Sequence, residues 1–135
     1  MMKTRTCFMA LVAALGLLPQ GALAGIADDA KFQHIIVTTF VVEQTRARCT
    51  EIDIDMQATE RMIVDMANHT AAMGYTQDEV QGQLMGAEAQ ARLTAAADEY
   101  MKAKGADPTN PASVCAFAQA EIAAGTDVGM LLKSR

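Results

Sequence analysis

Four side chains that favour soft metals recur at helical spacing along one segment of this chain. Met62, Met66, His69 and Met73 stand at positions i, i+4, i+7 and i+11. On a helix, at about 100° per residue, they would fall within a sector of roughly 60°. Thioether sulfur and imidazole nitrogen suit copper(I), so one hypothesis is a soft-metal site. We favour the alternative, in which these methionines fill the core of a helical bundle.

Side chains that could act as catalytic nucleophiles are scarce. The two serines, Ser113 and Ser134, have no histidine nearby in the sequence to act as a base. Cys115 with His69 would offer a thiol–imidazole pair, but a cysteine of an exported chain is more often in a disulfide. We therefore expect a protein that is not an enzyme and that carries no cofactor.

A calcium-binding loop begins in the acidic stretch but is not completed. Asp53, Asp55 and Gln57 place oxygen ligands at alternate positions, as an EF-hand loop does. The sixth position is Ala58 where the loop needs glycine, and the twelfth is Val64 where it needs a bidentate glutamate. The carboxylates instead suit the start of a helix, where the backbone dipoles favour negative charge.

The first 24 residues have the pattern of a cleaved secretory signal peptide. Two basic residues near the start precede an uncharged apolar stretch at 7–18, which is shorter than a membrane span. Ala22 and Ala24 supply the small residues that a signal peptidase needs before Gly25. We therefore expect a periplasmic or secreted protein whose mature chain, residues 25–135, forms a single domain.

Cleavage at that position would also leave an even number of cysteines. Cys7 would be removed with the signal peptide, so that only Cys49 and Cys115 remain. Two cysteines in an exported chain are most simply paired. We therefore predict a Cys49–Cys115 disulfide.

The charge of the mature chain limits its partners. All 16 Asp and Glu residues but only nine of the eleven Lys and Arg residues lie in 25–135, which gives a formal net charge of −7. An acidic surface without a basic stripe argues against nucleic acid as a partner. No second apolar run approaches the roughly 20 residues of a membrane helix, so we expect a soluble domain.

Apolar periodicity and helix punctuation predict an all-α fold. The stretch from Ile35 to Val42 is β-branched enough to suggest a strand, but its length and poor alternation favour a helix. Thr76 and Glu79 form a capping box that starts the longest helix. The predicted helices are about 29–48, 56–73, 77–104 and 111–125, followed by a final turn at 128–132. The fold class is thus a small bundle of about four helices closed by one disulfide.

Two glycines in the long predicted helix indicate close packing. Gly82 and Gly86 stand one helical turn apart and would let another backbone approach. In a soluble chain this spacing usually reflects tight internal packing and less often a dimer face. The sequence does not decide the oligomeric state.

Several segments of the chain form a recognisable set: Cys49 after a first helix, Gly74-Tyr75 before a capped helix, and the runs 111–115, 121–126 and 129–132. Together they resemble a family of small exported proteobacterial proteins, domain-of-unknown-function family 5333. It implies a periplasmic or secreted bacterial protein in which the two cysteines form a pair. It implies no activity, cofactor or binding residue.

These observations favour an exported, non-catalytic protein-binding domain, such as an accessory subunit or an inhibitor. Its partner would be another periplasmic protein of unknown identity. The alternative is an acid-activated periplasmic chaperone, because protonation of its carboxylates would loosen the bundle while the disulfide keeps the chain compact. A third hypothesis is a copper binder that uses the Met/His helix face.

Overall fold

The computed structural model describes residues 25–135, and these form a helical domain with one short pair of strands. The predicted signal peptide, with Ala22 and Ala24 of its cleavage site, lies outside the described residues. In chain order the elements are a 3₁₀ turn (Ile26–Asp28), α1 (Ala30–Arg48), β1 (Ile52–Ile54), α2 (Met56–Ala72), α3 (Gln77–Leu84), α4 (Ala87–Ala103), α5 (Pro111–Ala124), a second 3₁₀ turn (Gly129–Leu131) and β2 (Leu132–Ser134).

Helix α1 lies at the centre of the domain and contacts α2, α4 and α5. It starts at Asp29, whose side chain accepts a hydrogen bond from the backbone N–H of Phe32, and it continues without interruption through 35–42. The stretch that suggested a strand is therefore helical. Ile36, Val41 and Val42 are buried, so the β-branched side chains serve packing on a central helix rather than pairing in a sheet.

The predicted disulfide is present and joins the end of α1 to the first half of α5. Cys49 and Cys115 are bonded, with their Cα atoms 5.2 Å apart. Beside them, Arg48 donates from Nη1 to a carboxylate oxygen of Asp98 at 2.8 Å and to the carbonyl oxygen of Pro108 at 3.2 Å. The end of α1 is thus tied to α4, to the loop before α5 and to α5 itself.

The prediction of one long helix at 77–104 is wrong, because this part of the chain forms two helices, α3 and α4. Met85 is extended, with ψ of 153°, and Gly86 has φ of 93°, a conformation that side-chain-bearing residues rarely adopt. Gln90 and Arg92 donate to the carbonyl oxygens of Leu84 and Gln83 at 2.8 and 3.0 Å. Side chains of α4 therefore satisfy the last carbonyls of α3, and the described residues contain five α-helices rather than about four.

The close packing predicted at the two glycines of this region is also wrong. A Cβ added at Gly82 or at Gly86 would meet no atom within 4 Å. Gly86 is needed for its backbone conformation at the break, and Gly82 lies on the exposed side of α3.

The pair of short strands was missed by the all-α prediction. β1 and β2 are antiparallel, with Ile52 opposite Ser134 and Ile54 opposite Leu132. The acidic stretch around Asp53 and Asp55 therefore contains a strand, and the final turn predicted at 128–132 is a 3₁₀ turn that leads into its partner strand. Ile52 is fully buried, so this small sheet closes one side of the core that α1 and α5 form.

The buried side chains form two adjoining clusters. The larger lies around Val41, Met101, Val114 and the disulfide. The smaller contains Ile26, Phe32, Ile36 and Leu93, and partly buried residues of α2 and α3 pack against it. No helix within 25–135 is both long and apolar enough to cross a membrane.

Candidate functional site

An apolar groove opens over the smaller cluster and is the candidate site. Its floor is α1, which contributes Ile35 and Phe40, and one wall is α2, which contributes Met62 and Met66. The opposite wall is formed by the end of α3, the break at Met85, and the first turns of α4. The groove encloses about 390 Å³, a volume within the range of ordinary ligand sites.

The rim of this groove exposes large apolar side chains to solvent. Met85 is 69% exposed and Ile63 is 52% exposed, and both line the groove. Val64 follows Ile63 on α2 and is also 52% exposed, but it lines a separate hollow beside Glu60 and Arg61. Exposed apolar side chains at the edge of a concavity mark a binding site more often than isolated exposed residues do.

The groove holds only a few polar groups, and most of them are satisfied. The Thr39 hydroxyl donates to the carbonyl oxygen of Ile35 at 2.9 Å and lies 3.8 Å from the sulfur of Met62. Gln90 donates to the backbone of α3. Glu43, on the exposed side of α1, makes no ion pair or side-chain hydrogen bond within residues 25–135.

The four residues of the predicted metal face have different surroundings. Met62 and Met66 line the groove, and each packs against one of the buried clusters. His69 places Nε2 at 2.9 Å from both carboxylate oxygens of Asp29, and Met73 follows the end of α2 and is 56% exposed. Copper(I) binding stays a prediction, and a titration with no measurable affinity would end it.

Within the described part of the chain, one group of three side chains has the proximity of a metal site. Ligand atoms of Cys49, Glu51 and Cys115 lie within 4.8 Å of one another. Both cysteines are in the disulfide, so they offer no thiolate to a metal. Because Cys115 is in the disulfide, it cannot form the thiol–imidazole pair with His69 that the sequence allowed.

The Asp29–His69 pair joins the first turn of α1 to the last turn of α2. The Asp29 side chain is only 7% exposed and that of His69 is 19% exposed. The backbone N–H of Phe32 lowers the pKa of Asp29, and His69 lowers it further against the opposing effect of burial. The carboxylate is thus kept ionised, as a helix cap and as a partner for His69.

A buried carboxylate, which the sequence did not single out, connects α4 to the C-terminal segment. Glu121 is 4% exposed and accepts hydrogen bonds from the hydroxyls of Tyr100 at 2.9 Å and Thr126 at 2.6 Å. Lys104 lies 3.4 Å from its other oxygen. Burial, with the adjacent Glu121 carboxylate, raises the pKa of Tyr100 to about 12. A glutamate between Ala118 and Ile122, on an otherwise apolar helix face, was the available signal.

The groove was also not predicted from the sequence. Ile63 lies outside the Met/His face of α2, and its exposure there was the available signal. Met85 shares an apolar stripe with Ala89 and Leu93, which predicted packing rather than exposure. The groove arises because the chain breaks at Met85, which separates α3 from α4.

Comparison with known proteins identifies a family. A family model described as "Family of unknown function (DUF5333)" matches residues 24–133, which cover the whole domain apart from its last two residues. Neither the curated proteins nor the solved structures include a match to the chain. Since the match spans most of the sequence, the chain belongs to the family of unknown function DUF5333.

Proposed function

We propose that this protein is an exported, non-catalytic protein-binding domain and that it binds its partner in the apolar groove. The observation that carries the proposal is the combination of a groove lined by methionines with an exposed apolar rim of Ile63 and Met85. Export is supported by the signal-like pattern of the first 24 residues, and a disulfide-bonded domain is compatible with it.

The exposed rim favours a macromolecule over a small ligand. A small apolar ligand would fill the groove but would leave much of Ile63 and Met85 in contact with water. A protein segment would cover the rim as well, and the apolar area removed from water contributes about 25 cal/mol per Å². Methionine side chains adapt to differently shaped apolar partners, as they do in other protein-binding grooves.

The shape of the groove suits a helical segment of the partner. Its floor runs along α1 from Ile35 to Glu43, about 12 Å at 1.5 Å per residue, which equals about two helical turns. Met62 and Met66 lie one turn apart along the wall. An amphipathic helix laid in this groove would present apolar residues at i, i+3 or i+4 and i+7.

A photo-crosslinking experiment tests this proposal in the producing cell. A photoreactive residue is placed at Met85 or Ile63 in the groove, and at Met56 as the control. Met56 is matched in exposure, at 68% against 69% for Met85, but does not line the groove. We expect one discrete cross-linked product from the groove positions and none from Met56. No product, or equal products from all three positions, would contradict the proposal.

Acid-activated chaperone activity is the second candidate, and the acidic caps favour it. Asp29 caps α1 and Glu79 belongs to the capping box of α3, and backbone N–H groups that donate to them lower the pKa of both carboxyl groups. The pKa values of Asp53 and Asp107, in a strand and a turn, are lowered as well. Carboxylates with lowered pKa stabilise the fold at neutral pH and lose that contribution as the pH falls through their folded-state pKa values.

This candidate predicts partial unfolding and client binding only in acid. Circular dichroism would follow helical content from neutral pH to about pH 2, and light scattering would follow the aggregation of an acid-denatured client. A helical signal that stays unchanged down to about pH 2 would count against the chaperone.

A further inference from the structure

We infer that the groove binds a positively charged amphipathic helix of another protein. The inference rests on the proposed function and adds the chemistry of the partner. Its starting point is charge, because residues 25–135 carry a formal net charge of −7. A negatively charged domain attracts cationic partners and repels anionic ones over several ångströms.

Glu43 places one of those charges in the groove. It is the charged residue among the side chains that line the groove, and its carboxylate has no cationic partner within the described residues. By contrast, Asp65 of α2 is paired with Lys31 at 2.9 Å, and Asp98 is paired with Arg48. Glu43 is therefore available to a cation that the occupant brings.

The position of Glu43 specifies where that cation lies. Ile35, Thr39 and Glu43 follow one another at intervals of four on α1, so Glu43 stands at one end of the groove floor. A helix with its apolar face on Ile35, Phe40 and Met66 would bring a Lys or Arg near one end of that face to Glu43. The recognised element is thus an apolar helical stripe that is flanked by a basic residue.

A second copy of this chain does not fit the same requirement. Two copies would bring together two domains of the same net charge, −7 each. Like charges at an interface oppose association. Charge complementarity therefore favours a different, cationic protein.

Two synthetic amphipathic peptides of about five helical turns test the inference. Both carry the same leucine stripe, and the polar positions are Lys in one and Glu in the other. The oxidised 25–135 protein, labelled at its methionine methyl groups, is titrated with each. We expect the Lys peptide to bind, to shift the signals of Met62, Met66 and Met85, and to leave exposed Met130 unchanged. Added salt should weaken this binding.

Two variants then test the role of the carboxylate. Glu43→Gln should weaken the affinity for the Lys peptide by about 1.5-fold to fivefold, which corresponds to the energies measured for exposed ion pairs. Glu51→Gln is the control, because Glu51 is also an exposed acidic residue but does not line the groove. It should leave the affinity unchanged.

The outcomes separate this inference from the proposed function. Equal binding of the Glu peptide, or equal affinities of the Glu43→Gln and Glu51→Gln variants, would overturn the charge requirement, while shifts at Met62 and Met85 would still support the groove. If neither peptide binds but cross-linking at Met85 captures a discrete partner, the cationic-helix inference fails and the proposed function stands. If both experiments fail, both proposals are overturned.

Discussion

Replacing Gly129 with alanine should destabilise the domain strongly, because the C-terminal segment packs directly on the backbone of α5. A Cβ at this position would lie within 3.0 Å of the carbonyl carbon and oxygen of Glu121 and the nitrogen of Ile122. All three are helix backbone atoms, so the 3₁₀ turn itself would have to move. Overpacking of this kind costs about 1–3 kcal/mol, and we expect the upper end, about 3 kcal/mol.

The movement would also disturb the hydrogen bonds around Glu121. The N–H of Gly129 donates to the Thr126 hydroxyl at 3.0 Å, and that hydroxyl donates to the buried carboxylate. A loss of about 3 kcal/mol is a large share of the 5–15 kcal/mol that stabilises a typical domain. It corresponds to a decrease in melting temperature on the order of 15 °C.

Urea denaturation of the oxidised protein, followed by circular dichroism, measures this change. The matched control is Gly82→Ala, since Gly82 is exposed, within α3, and has no atom within 4 Å of an added Cβ. That substitution should stabilise the domain by roughly 0.5–1 kcal/mol, because alanine is the better helix former. A free energy of unfolding for Gly129→Ala within about 0.5 kcal/mol of the parent, at unchanged m-value, would refute the close packing described above.

Three further predictions concern the cross-link, the caps and the buried carboxylate. Removing the Cys49–Cys115 disulfide, which joins residues 66 positions apart, should lower the free energy of unfolding by about 4 kcal/mol, measured with the double serine variant. The stabilising contribution of Asp29, whose pKa is lowered from 3.8, is present at neutral pH and should be lost as the pH falls below that value; an Asp29→Asn variant with the same acid midpoint as the parent would contradict this. Tyr100→Phe should cost about 1.5–3 kcal/mol in urea denaturation, because Glu121 loses a hydrogen bond to its charged group.

Local sequence signals were sufficient where a helix is defined by its own ends. The predicted capping box of Thr76 and Glu79 is present. The helix predicted from 111 does begin at Pro111, and the Asn110 side chain caps it. The predicted stop at Gly125 is also confirmed, with φ of 63°. These features depend on hydrogen bonds and backbone preferences within one or two turns, so the sequence contains what determines them.

The break between α3 and α4 was not predictable in the same way. The apolar pattern continues across Met85 and Gly86, and isolated glycines are tolerated within helices. The break is stabilised by contacts between residues that are distant in sequence. One of them is the hydrogen bond that Arg92 donates to the side-chain oxygen of Gln33 at 3.4 Å. Because the groove depends on this break, the groove was not predictable from the sequence either.

The sequence by itself determined the helical class, the positions of most helix ends and the pairing of the two cysteines. Each follows from periodicity, from capping residues or from the simplest pairing of two thiols. Only the tertiary structure decided which apolar side chains stay exposed around the groove, and that Glu121 is buried. It also placed β2 beside β1, some 80 residues away in the chain. Burial and strand pairing between distant segments depend on how the elements pack together, and no local pattern records that packing.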